Sequence, residues 1–92
     1  MRNKRPNNGK LKIQEIRDFI RKENYSVHQH FEKRFEEREV TDREIHRTIF
    51  DGEPQFQFNS RVAFKWKKHC VVVEFKDKSN GKVLDVELLT VY

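Results

Sequence analysis

The chain of 92 residues contains one cysteine, two prolines and three glycines. A lone Cys70 excludes an internal disulfide. Its place in the apolar run CVVVEF, residues 70–75, reads as a buried, inert thiol rather than a reactive one. No apolar stretch approaches the roughly 18 residues of a membrane span, and no signal-peptide core follows the basic start. A soluble domain without membrane contact is therefore expected, most simply in a reducing cytoplasm. The chain also lacks a Walker loop, a dinucleotide fingerprint, a Gly-x-Ser-x-Gly elbow and helix-turn-helix spacing. No internal repeat or low-complexity block occurs, and no cofactor is expected.

What is present suffices for one modest core. Hydrophobic residues make up 35% of the chain and eight are Phe, so wholesale disorder is not expected despite 38% charged residues. The net charge of +5 is unevenly placed. Arg2, Lys4, Arg5 and Lys10 give the first ten residues +4, whereas residues 11–50 balance nine bases against nine acids. The opening MRNKRPNNGK thus reads as a basic tail or linker over residues 1–10, either solvated or touching phosphates through Arg2, Lys4 and Arg5. Residues 11–92 read as a single domain.

Along that domain the hydrophobic period changes once. Ile13, Ile16, Phe19 and Ile20 recur at helical spacing in a first helix. Ser26 is placed to cap a second, over residues 27–38. In the third, Thr41 and Glu44 have capping-box spacing, Val40 and Ile45 sit where a hydrophobic staple would, and Asp51-Gly52 with Pro54 ends it. After Pro54 the period is two. QFQF, RVAFKW, CVVVEF and KVLDVELLTVY read as four strands, with turns at Asn59-Ser60, Lys67 to His69 and Ser79-Asn80-Gly81. The expectation is an α+β fold: two to three N-terminal helices packed on a curled four-stranded antiparallel sheet.

One helix poses a question. Stepping by about 100° per residue, the second helix gathers Val27, Phe31 and Phe35 on one face, with His30, Arg34 and Arg38 in or beside the same sector. Arginines there either run their stems along the core edge or pair with a buried carboxylate such as Asp85 or Glu87. Alternatively the three line an anion-binding cleft against the sheet, near Thr90 and Tyr92. Such a cleft suits metal-free RNA cleavage, in which the 2′-hydroxyl is the nucleophile. The protein then supplies a base, cations for the phosphorane and a proton for the leaving oxygen. Histidine suits the first role and the planar fork of arginine the second. Lys65, Trp66 and Lys67 form an aromatic–basic cluster that could stack a base and hold phosphate, or simply be a core Trp with lysines in solvent. His28, His30, His46, His69 and Cys70 give no zinc spacing: within a helix His28 and His30 point about 160° apart, and no Cys-x-x-Cys is present.

Read as a whole, HFEKRFEEREVTDREI (30–45), then IFDG and a terminal LLTVY, resembles a widespread group of small bacterial and phage domains of unknown function, allied to RelE-like toxins. His30, Arg34, Phe35, Glu37, Arg38, Val40, Thr41, Ile45, Gly52, Thr90, Val91 and Tyr92 match its pattern. Phe31 stands where a small residue is usual, and Glu39 where glycine is usual. The resemblance implies membership of the barnase–EndoU–colicin–RelE assemblage, with helices on a four-stranded antiparallel sheet and, in many members, metal-independent ribonuclease activity. It implies a toxin acting on RNA and neutralised by a cognate antitoxin or immunity protein, in the cytoplasm of the producing cell or of a target cell. His30, Arg34, Arg38, Thr90 and Tyr92 would then be catalytic.

Overall fold

A computed structural model of the chain describes residues 6–92. Arg2, Lys4 and Arg5 lie outside them. The elements run α1 (Pro6–Arg21), β1 (Ser26–Val27), α2 (Gln29–Arg38), α3 (Asp42–Asp51), β2 (Glu53–Gln57), β3 (Arg61–Trp66), β4 (His69–Asp77) and β5 (Val83–Val91). The fold is α+β, three helices on one sheet, with two corrections to the expected architecture. The sheet has five strands in the order β1-β5-β4-β3-β2, and it is mixed, because β1 pairs parallel to β5 while β2 to β5 form the antiparallel meander. A two-residue strand is too short to display alternation in sequence. Helix α1 also begins inside the stretch read as tail, taking in residues 6–10. Proline at a first helical position sacrifices no hydrogen bond, and the absence of a large apolar residue there hid the turn from periodicity.

Strand register determines where the core lies. Val62 pairs with Val73 and Val73 with Leu88, while Phe64 pairs with Val71 and Val71 with Val91. Side chains of this parity form one buried cluster with Ile13, Ile16 and Ile20 of α1, Phe31 of α2, and Ile45 and Ile49 of α3. All three helices therefore cover the same face. Ile16, Ile49 and Phe64 are fully buried, and each contributes about 1.5–3 kcal/mol by leaving water. The other parity, including Arg61, Lys65, Glu74 and Glu87, points to a face that no helix covers among the described residues. No described helix is long and apolar enough to cross a membrane.

The helix ends are specified locally. Helix α1 closes with the Asn24 amide donating to the Phe19 carbonyl (2.8 Å) and Glu23 left-handed at φ 56°. Helix α2 repeats the device, the Val40 amide donating to the Phe35 carbonyl, with Glu39 at φ 53° and ψ 44°. Helix α3 opens on the anticipated capping box: the Thr41 amide donates to Glu44 Oε1 (2.9 Å) and the Glu44 amide to Thr41 Oγ1 (3.1 Å). Its C-terminal carbonyls are held by Arg17, whose Nε donates to Ile49 O (2.8 Å) and whose Nη2 donates to Gly52 O (3.0 Å). Burial lowers the Arg17 pKa, opposed by Asp51. A Cβ on Gly52 would meet the Thr48 carbonyl and lie 2.7 Å from Lys65 O, so only glycine fits where α3 passes into the sheet. Helix α2 starts at Gln29 rather than residue 27, and His28, not Ser26, caps it, Nδ1 accepting from the His30 amide (3.0 Å).

Two consequences are measurable. Glu39→Gly should raise stability by about 0.5–1 kcal/mol, because losing Cβ relieves more left-handed strain than the added chain entropy costs. Thr41→Ala should lower stability by about 1 kcal/mol; urea denaturation reads both, and a destabilised Glu39→Gly would contradict the assigned helix end. Hydrogen bonds from the Thr41 amide and hydroxyl hold the Glu44 carboxyl below the ordinary carboxylate range, burial opposing and His69 assisting. Its contribution is thus complete above the unfolded value of about 4.3 and is lost as pH falls through the depressed folded value. Glu44→Gln should accordingly show a shallower loss of denaturation midpoint between about pH 5 and about pH 3.

Candidate functional site

The face that α2 turns inward is set by Phe31 and Phe35, four residues apart, whose rings stack at 6.2 Å. Phe31 is buried and Phe35 half-buried. The cavity beneath them, about 360 Å³, is lined by Tyr25, Phe31, Phe35, Ile45 and Leu88, with Glu32, Glu36 and Asp42 at its rim. Burial, helped by Asp42 and Glu23, raises the Tyr25 hydroxyl above its ordinary pKa. None of His30, Arg34 and Arg38 lines this cavity. His30 and Arg38 are exposed and only Arg34 is half-buried. Phe31 and Phe35 set the inner face, and Val27, although it lies in β1, lines the same cavity.

One expected pairing is present at a different place. Arg34 Cζ lies 5.9 Å from the ring centroid of Tyr92 at the end of the last strand. His30 and Arg38 stand one turn to either side of Arg34 along α2, so the three share a helix flank that borders Tyr92. Tyr92 itself is exposed and hydrogen-bonds Cys70 through both backbone groups. Thr90 pairs with Val72 on the uncovered side of the sheet, buried at 8% exposure, and its hydroxyl has no hydrogen-bond partner.

The aromatic–basic trio is split. Successive strand residues face opposite ways, so Lys65 stands beside Cys70 on the uncovered face while Trp66 lies on the helical side. Burial raises the Cys70 thiol above its ordinary pKa, with Lys65 opposing, in keeping with an unreactive group. Trp66 keeps Lys67, whose Nζ is 4.6 Å from the ring centroid, and acquires Arg47 of α3, with Cζ at 5.1 Å. Arg43 and Arg47 were not singled out by sequence. Their only signal was a four-residue spacing, and nothing local shows that α3 runs beside the β3–β4 hairpin. His69 Nε2 is 3.2 Å from Glu44 Oε2, His28 caps α2, and His46 tilts against Phe50 at 6.1 Å. Among the described residues no three of His, Cys, Asp or Glu converge as metal ligands.

No protein-family model matches the chain, and no curated protein or solved structure is significantly similar to it.

The Arg34–Tyr92 contact is exposed, and its worth is correspondingly small. A double-mutant cycle over Arg34→Ala and Tyr92→Leu should give a coupling of about 0.5–1 kcal/mol, with neither single variant unfolding the protein. Zero coupling would place the two side chains apart.

Proposed function

We propose that the protein is a toxin-like, metal-independent endoribonuclease of RelE/barnase-like character, neutralised by a cognate antitoxin or immunity protein. The observation that carries this reading is Arg34 against Tyr92 at the end of the last strand, with His30 and Arg38 one turn away on the same exposed flank. The sequence resemblance supports it. So does the place of its one backbone departure, because Glu39 falls on the left-handed residue that closes α2, where a glycine would carry no penalty.

The chemistry needs few parts. The RNA 2′-oxygen attacks phosphorus as His30 takes its proton, and Arg34 and Arg38 bear on the charged phosphorane oxygens. The bond to the 5′-oxygen then breaks, and that oxygen takes a proton from the Tyr92 hydroxyl. The products are a 2′,3′-cyclic phosphate and a 5′-hydroxyl. Thr90, from within the sheet, supports the strand that presents Tyr92.

A second reading is a non-catalytic RNA- or protein-binding module of the same fold. The exposure of His30 and Arg38 favours it, since charges open to water stabilise a transition state far less than enclosed ones. Incubation with total bacterial RNA in excess EDTA separates the two. The ribonuclease reading expects discrete fragments ending in 2′,3′-cyclic phosphate, lowered about 10²- to 10⁴-fold by His30→Ala with RNA affinity retained. Intact RNA with and without added ribosomes would leave the binding module.

A further inference from the structure

We infer that the groove between α3 and the β3–β4 hairpin holds single-stranded RNA beside the cleaved phosphate, with a base stacked on Trp66. The RNA's position relative to a cleaved phosphate rests on the ribonuclease reading; the binding itself does not. The groove encloses about 670 Å³ and is walled by Arg43 and Arg47 from α3 and by Trp66, Lys67, Lys68 and His69 from the hairpin. Its chemistry has two components. Trp66 is half-buried with Arg47 and Lys67 over its ring, so a base stacks there by displacing one of these cations, which then meets the nucleotide's phosphate. The balance of charge is strongly positive. Glu44 is the one acid lining the groove, and its carboxylate is committed to Thr41 and His69; Asp51, from outside the lining, holds Arg47 Nε at 2.8 Å.

The groove is also in the right place. Trp66 pairs with His69 in the last row of the β3–β4 hairpin, and the next row joins Lys65 to Cys70. Cys70 is hydrogen-bonded to Tyr92 in both directions, at 2.8 and 3.3 Å. The groove and the Arg34–Tyr92 pair thus lie at one end of the sheet, Trp66 on β3 and Tyr92 at the end of β5 with β4 between them, about 10 Å apart. A strand of RNA crossing that end meets both. Duplex RNA does not fit this chemistry, because its bases are already stacked on one another. An acidic protein would satisfy the cations but not the ring.

Lys67 supplies a clean variant. It is left-handed at φ 55° in the hairpin turn, so Lys67→Gly removes the cation while favouring the turn. Trp66 is the one tryptophan, so its fluorescence reports the groove alone. The experiment titrates the full chain with a 2′-O-methylated ten-nucleotide adenine strand, reading Trp66 fluorescence and the anisotropy of a label on the strand. Binding should quench Trp66 and give the same affinity by both signals. Trp66→Ala should weaken binding roughly five- to a hundred-fold. Arg43→Gln and Lys67→Gly should each weaken it and lower the salt slope by about one unit. Unquenched Trp66, indifference to Arg43→Gln and Lys67→Gly, or equal affinity for a duplex or for polyglutamate would overturn the assignment. Quenching with no cleavage of natural RNA would defeat the ribonuclease reading and leave the groove standing; cleavage indifferent to the groove variants would do the reverse.

Discussion

Everything in this molecule follows from a sheet whose large apolar side chains gather on one face, leaving the other to small buried residues flanked by charges. Val62, Val73 and Leu88 share one row, Phe64, Val71 and Val91 the next, and both rows are buried under helices. The row between them on the opposite face, Ala63, Val72 and Thr90, is buried but small, and it is flanked by Arg61, Lys65, Glu74 and Glu87, whose burial would cost more than it gained. The three helices must therefore lie side by side on one face. Helix α3 then takes the strip over β3 and β4, which brings Arg43 and Arg47 to Trp66, and α2 takes the strip over β5, which brings Arg34 to Tyr92. The two sites at one end of the sheet are a consequence of packing, not an independent feature.

Charge then divides the helical side. The depression under α2 is apolar with an acidic rim of Glu32, Glu36 and Asp42, whereas the groove beside α3 is basic and carries a half-buried indole. An approaching polyanion is repelled from one and drawn to the other, and the flank of α2 that bears His30, Arg34 and Arg38 borders Tyr92, one strand from the groove. Under the proposed ribonuclease reading the groove would retain the strand while His30 and the arginines act on the phosphate. An antitoxin or immunity protein would have only to cover one end of the sheet.

Much of this was legible in the sequence, for reasons that can be named. The capping box at Thr41 and Glu44 and the glycine at 52 are local patterns with local causes and reappear in place, whereas a bulge in β5 puts Val91 on the core side and Thr90 on the other. What failed was non-local. Strand β1 is held by β5, about sixty residues away in sequence, so residues 26–27 belong to the sheet and not to α2. The His30–Arg34–Arg38 periodicity was read correctly, but whether a flank is lined by protein or by water depends on neighbours the helix does not encode. Lys65 and Trp66 were grouped because they adjoin in sequence, although a strand sends them to opposite faces. Arg43 and Arg47 were passed over because their partner, Trp66, lies beyond the next turn and strand.

The most direct test of where RNA is handled is a two-dimensional amide NMR titration of the full chain with a short 2′-O-methylated strand that cannot be cleaved. The account predicts shifts confined to one end of the sheet: residues 30–38 along α2, the Arg43–Arg47 turn of α3, the Trp66–His69 hairpin and Tyr92. Perturbations instead on the uncovered face, at Arg61, Glu74 and Glu87, with α2 and the Trp66 hairpin silent, would contradict it.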